Sequence, residues 1–195
     1  MRILGNRALV RRIDFEKQNK SGIIIPSQVR SHTYMGEVIK TGEGISVSKN
    51  KKVPMEIKPG DCVIYSSTIG WHLDKGDEQF TIINEMDVLV IIRDGEMYVT
   101  NSRILAEEPK SDVIMVGGIV LPTQASKDNP DTKEVIVLKK GPGAIAKDGS
   151  RIPIDINIGD KLLIPANCGH TFKKDGREYI VIAERDIIGI MEGED

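Results

Sequence analysis

Aromatic residues are scarce in this chain: Phe, Tyr and Trp make up 4% of 195 residues. That argues against a protein that stacks single-stranded bases on aromatic platforms. Net charge is also lacking, at −2 with acids and bases interspersed, so nothing suggests a partner held through phosphate contacts. Cysteine is limited to Cys62 and Cys168, far apart and without a paired spacing, as expected of reduced thiols in a cytosolic protein. No apolar stretch approaches the roughly 18 to 20 residues that span a bilayer. Met1 to Arg7 carries neither a signal-peptide core nor an arginine- and serine-rich presequence. A soluble, cytoplasmic protein is expected, with an organelle stroma or matrix as the alternative for a mature form. The sequon Asn19-Lys20-Ser21 then reads as chance.

Recognisable catalytic chemistry is missing too. The chain has no phosphate-binding loop, no Ser-His-Asp order and no acidic pair in a plausible site. Gly141-Pro142-Gly143-Ala144-Ile145-Ala146 fits a dinucleotide-binding string, but Asp148-Gly149 and Pro153 follow where its helix should begin. Cys168-Gly169-His170 with His72 falls short of a four-ligand metal set. No catalytic residue, cofactor or metal is expected, and the chain reads as a non-enzyme.

What is present is a repeat. Arg7 maps onto Arg103 and Gly22 onto Gly118 at an offset of 96. Gly42-Glu43-Gly44 onto Gly141-Pro142-Gly143, Pro54 onto Pro153, Gly60-Asp61 onto Gly159-Asp160 and Glu85-Met86-Asp87 onto Glu184-Arg185-Asp186 all lie at 99. The second copy therefore carries its extra residues after Gly118, and the expected domains are 1–95 and 96–195. Short β-branched runs such as Glu37-Val38-Ile39-Lys40, Cys62-Val63-Ile64-Tyr65 and Val88-Leu89-Val90-Ile91-Ile92, punctuated by Gly, Pro, Asn and Asp, predict an all-β fold. No window sustains a helical apolar period. Each copy is expected to be a small barrel, since closure removes exposed edges.

Two long segments, Asp14 to Tyr34 and Lys110 to Thr132, lack a strand or helix pattern. Loops of that length inside compact domains are uncommon unless functional or disordered. Each holds three aliphatics between glycine and proline: Gly22-Ile23-Ile24-Ile25-Pro26 and Gly118-Ile119-Val120-Leu121-Pro122. They read as mobile arms offered to a partner; the bland alternative makes Ile23-Ile24-Ile25 one more barrel strand with polar flanks. A second excursion in each copy, Gly44 to Pro54 and Gly143 to Pro153, reads as a hairpin. Asp94-Gly95 between β-rich flanks predicts a two-residue hairpin at the junction of the copies.

In this order of motifs the chain resembles the GroES family of co-chaperonins, twice over, as a tandem double-domain form. The resemblance implies two GroES-like β-barrels, each with a mobile loop and a roof-type hairpin. It implies a lid: a dome of such barrels, usually seven, caps the nucleotide-bound ring of a GroEL-type chaperonin and encloses a folding protein. By position, the chaperonin-binding residues are Gly22, Ile23, Ile24 and Ile25, and Gly118, Ile119, Val120 and Leu121. ATP would be bound by the chaperonin and not by this chain. The chain would self-assemble into a ring or dome, alone or mixed with single-domain subunits. Seven is odd and each chain supplies two domains, so six or eight domains, a spare domain or mixing all remain open. The other function class is a ring-forming structural or adaptor protein that kept the fold without capping.

Overall fold

The computed structural model describes residues 1–13, 23–24, 33–49, 51–109, 113–116, 119–122 and 131–191; for 23–24, 113–116 and 119–122 it describes the backbone only. The first copy contributes β1 (Arg7–Ile13), β2 (Ile23–Ile24), β3 (Thr33–Thr41), β4 (Ile45–Ser48), β5 (Lys51–Val53), β6 (Cys62–Ser66), β7 (Trp71–Lys75), β8 (Glu78–Asn84) and β9 (Val88–Arg93). The second contributes β10 (Glu96–Tyr98), β11 (Arg103–Glu107), β12 (Val113–Val116), β13 (Ile119–Pro122), β14 (Thr132–Lys140), β15 (Ala144–Ile145), β16 (Arg151–Ile152), β17 (Lys161–Pro165), β18 (His170–Lys174), β19 (Arg177–Ala183) and β20 (Gly189–Met191). Helix is confined, among the described residues, to single 3-10 turns at Glu85–Asp87 and Glu184–Asp186. The all-β expectation holds, in two GroES-like halves.

One sheet runs β10-β9-β6-β3-β1-β8-β7 and the other β20-β17-β14-β11-β19-β18-β2. Six strands correspond one for one, and even the bulge repeats, between Leu9 and Val10 in one copy and Leu105 and Ala106 in the other. A bulge kept in register is a built feature that bends the strand. Each copy wraps its sheet around its own core, with Val10, Tyr65 and Ile83 in the first and Ile104, Leu162 and Ile182 in the second.

The sheets differ in how an edge is covered, because each receives one short strand from the other copy. At the junction Asp94 and Gly95 adopt φ of 52° and 81°, the left-handed pair that a tight hairpin turn needs. This pairs β10 on β9, with Met97 opposite Ile92 and Tyr98 opposite Ile91. The predicted two-residue hairpin is present. Thr100, fully buried, then donates its hydroxyl to the Val88 carbonyl at 3.0 Å.

A third apolar cluster lies between the copies: Met35, Ile64, Leu89, Val90 and Ile92 from the first meet Val99, Leu105, Phe172 and Val181 from the second. This explains why Val88 to Ile92 is apolar without alternation. Val88 and Ile91 serve the first copy's own core, while Leu89, Val90 and Ile92 serve the shared one. A strand covered on both faces has no polar side to show.

The repeated motifs have local causes. Gly44 and Gly143 sit at φ of +97° and +91°, and a Cβ there would lie 2.0 Å from the Val53 carbonyl oxygen and 1.8 Å from that of Ile152. Only glycine closes these turns. Asp61 accepts the Lys58 backbone N–H at 2.7 Å and two guanidinium bonds from Arg93, both 2.7 Å; its counterpart Asp160 accepts the Asn157 N–H at 2.7 Å. Buried Glu85 accepts the backbone N–H of Glu56 and that of Ile57, the latter at 3.0 Å. Cys62 and Cys168 are free thiols, and burial pushes the Cys62 thiol up to about 11.

Candidate chaperonin-binding segments

The two tripeptides occupy different settings. Gly22 and Ile25 lie outside the described residues, but Ile23–Ile24 form β2, which pairs antiparallel with β18 of the second copy. Ile24 stands opposite Lys173 and Ile23 opposite Lys174. In the second copy, Ile119, Val120 and Leu121 belong to β13, which pairs with β12 of the same segment: Val116 with Ile119, Met115 with Val120, Ile114 with Leu121 and Val113 with Pro122. Gly118 lies outside the described residues, as does Gly117. Among the described residues, the tripeptides are not paired with each other. Both segments hold short strands where the sequence shows no strand pattern, because the apolar stretches are too short and their flanks too polar to signal one.

The seat of β2 is visible only in three dimensions. β18 reads His-Thr-Phe-Lys-Lys, too polar to suggest a strand. Phe172 turns inward, stacked on Tyr179 with ring centroids 5.6 Å apart, and joins the cluster between the copies. Its lysines are held by charge, Lys173 by Glu178 at 3.1 Å and Lys174 by Asp175 at 2.7 Å. Nearby, Glu96 is paired with Lys139 at 2.6 Å, and this bond, helped by the charge of Lys174, holds its carboxyl below the usual range. The alignment at an offset of 99 places Phe172 on Leu73, the one sequence signal that could have marked it.

The predicted hairpins after the Gly-x-Gly turns are formed by β4–β5 and β15–β16. They meet across the copies. Lys51 donates to the Asp148 carbonyl at 2.5 Å, Arg151 pairs with Glu56, and Lys52 pairs with Glu43 of its own copy. Lys51 and Lys52 at this tip are therefore both engaged. Gly141 to Ala146 leads into the strand β15 and not into a helix, so the dinucleotide-like string has no helix N-terminus behind it.

Comparison with known proteins follows the same two-fold division. The family model described as "Chaperonin 10 Kd subunit" matches residues 1–92 and again 96–191. The chain is 30% identical over 192 residues to the "20 kDa chaperonin, chloroplastic" of Arabidopsis thaliana, covering 96% of this chain and 74% of the relative. The protein of the same name from Spinacia oleracea is 29% identical over the same length. "Co-chaperonin GroES" of Neisseria meningitidis is 41% identical over 92 residues, 47% of this chain and 93% of that protein. A chain built as two like sheets, matched twice by one family model and end to end by double-length relatives, belongs to the chaperonin 10 kDa subunit family and is a tandem co-chaperonin.

Proposed function

We propose that this protein caps the ATP- or ADP-bound ring of a GroEL-type chaperonin and so assists protein folding. Ile23, Ile24 and Ile25 and Ile119, Val120 and Leu121 are the contact residues, with Gly22 and Gly118 letting each arm turn. The observation that carries this reading is the doubled family match together with a complete aliphatic tripeptide at the same place in both copies. A complete aliphatic tripeptide kept in both loops is, when exposed, an aggregation hazard unless a partner uses it. The role is non-enzymatic, and nucleotide is held by the chaperonin. The domains are 1–95 and 96–195. The compartment is the cytoplasm or, as the names of the double-length relatives suggest, an organelle stroma.

Chains assemble head to tail into a ring or dome, alone or with single-domain co-chaperonins. The two ends of the chain support this. Leu89 and Ile92, which meet the second copy, are 5% and 8% exposed, whereas their counterparts Ile188 and Met191 at the far end are 56% and 42% exposed. On the opposite face Phe172 is 3% exposed and its counterpart Leu73 is 40% exposed. Each chain thus leaves open one half of the contact it makes internally, the condition for a heterologous interface that closes into a ring.

Mixing the protein with a GroEL-type chaperonin in ATP or ADP and imaging the particles tests the reading. End-capped rings are expected, and their symmetry counts the domains. Burying one Ile is worth roughly 1.5 to 3 kcal/mol, multiplied around a ring, so Ile24→Asp with Val120→Asp should abolish capping while the far-UV spectrum is unchanged. Capping that survives the double change refutes the assignment of these segments.

A further inference from the structure

Pairing of β2 with β18 makes the two arms unequal. An extended segment added to a sheet edge is held by main-chain hydrogen bonds, the same physics by which peptides are recognised through strand addition. Here the added segment is two-thirds of a tripeptide assigned to chaperonin contact, and the edge belongs to the other copy. The equivalent edge of the first copy, β7, receives no strand among the described residues, and Trp71 and Leu73 stand exposed along it. Among the described residues, the second arm pairs within its own segment as β12–β13 and engages neither edge.

Resting on the capping function proposed above, we infer that β18 is a storage site for the first arm: Ile23–Ile24 must leave the His170–Lys174 edge before the chaperonin can take them. Two residues make only a few ladder bonds, so the stored state is reversible and each such bond has a small net worth. The apparent affinity of the first arm falls by the fraction of time it spends off the edge. The second arm carries no such competition, and capping begins there. The lysines of β18 suit this role, since a charged edge discourages pairing with foreign strands while admitting a tethered one.

Directly opposed residues in an antiparallel pair lie about 4.5 to 5.5 Å apart at Cα, within the range a disulfide spans. The test uses the full chain with Ile24→Cys and Lys173→Cys, Cys62→Ala and Cys168→Ala to remove competing thiols, and Val120→Asp to silence the second arm. Mild oxidation should form the 24–173 bond, and binding to a GroEL-type chaperonin in ADP should fall at least about tenfold and return with reductant. Failure of the bond to form overturns the storage site, and a bond that leaves binding unchanged overturns the competition. If the reduced protein does not bind, the same chain with Ile24 and Lys173 restored is compared: binding by it alone marks Ile24 as a contact in its own right, and no binding by either means that the capping assignment of the first arm has failed instead. Amide exchange of the free wild-type chain then decides the storage site by itself. At least one of the Ile23 and Ile24 amides should exchange about tenfold or more slowly than in an unstructured peptide; exchange at the peptide rate for both refutes it.

Discussion

Phe172 and Leu73 occupy one position of the repeat in two environments, and this makes a controlled comparison. Phe172 is almost fully buried between the copies, while Leu73 leaves two-fifths of its surface in water. Truncating a buried Phe to Ala costs about 3 to 5 kcal/mol, and loss of the stacked contact with Tyr179 adds about 0.5 to 1.5 kcal/mol. Leu73 recovers only part of the roughly 1.5 to 3 kcal/mol of a fully buried leucine, and its removal opens no closed cavity, so about 1 kcal/mol is expected. Urea unfolding at low micromolar concentration would measure both. Fluorescence of the single tryptophan, Trp71, reports the first copy and far-UV dichroism the whole chain. Phe172→Ala should lower the dichroism midpoint far more than Leu73→Ala does, and should separate the two signals as the copies lose their shared core. Costs within about 1 kcal/mol of each other would refute the claim that this cluster ties the copies together.

Asp61→Ala should destabilise by about 3 kcal/mol or more, because it strips Arg93 of its partner beside a nearly buried carboxylate site. Asp160→Ala, which loses one backbone bond, should cost about 1 kcal/mol; equal shifts in urea midpoint would contradict this. Burial raises the carboxyl of Glu85, as it does that of Glu56, against the opposing pull of the backbone N–H bonds and of Arg151 respectively. The folded state then holds these protons to higher pH than the unfolded chain, so stability rises as pH falls from neutral through the raised folded values toward the ordinary value of about 4.3. Glu85→Gln should reduce this rise in melting temperature between pH 7 and 5. A wild-type melting temperature that falls across that window, unchanged in slope by the substitution, counts against it. The exposed carboxyls Glu43, Glu96 and Asp148, whose pairs lower them, lose their contribution only below that window.

Strands made of β-branched runs between Gly, Pro, Asn and Asp were legible in the sequence, and so was the hairpin at Asp94-Gly95, because local chemistry sets both. Repetition made the correspondence of the copies plain before any coordinate. β7 and β18 were not legible: Trp-His-Leu-Asp-Lys is exposed along its whole length, and His-Thr-Phe-Lys-Lys turns only Phe172 inward amid charge. Long-range pairing makes them strands, and no window of sequence contains it. Glu85 was legible only as part of the repeat; its burial, with two backbone N–H groups converging on it from a distant segment, was not. The tripeptides announced themselves as candidate contacts, but the edge on which β2 lies belongs to residues some 150 positions away.

The short strand β10 has a consequence for synthesis. The sheet of the first copy takes its last strand from Glu96–Tyr98, and the buried Thr100 fastens Val88 from beyond the repeat boundary. A ribosome that has made the first copy has therefore not yet made all of its sheet. The nascent first half carries an unpaired β9 edge and a bare apolar face until the second half begins to emerge. Cutting the gene at the repeat boundary would leave that half in the same unfinished state, so the natural unit of folding here is longer than the unit of repetition.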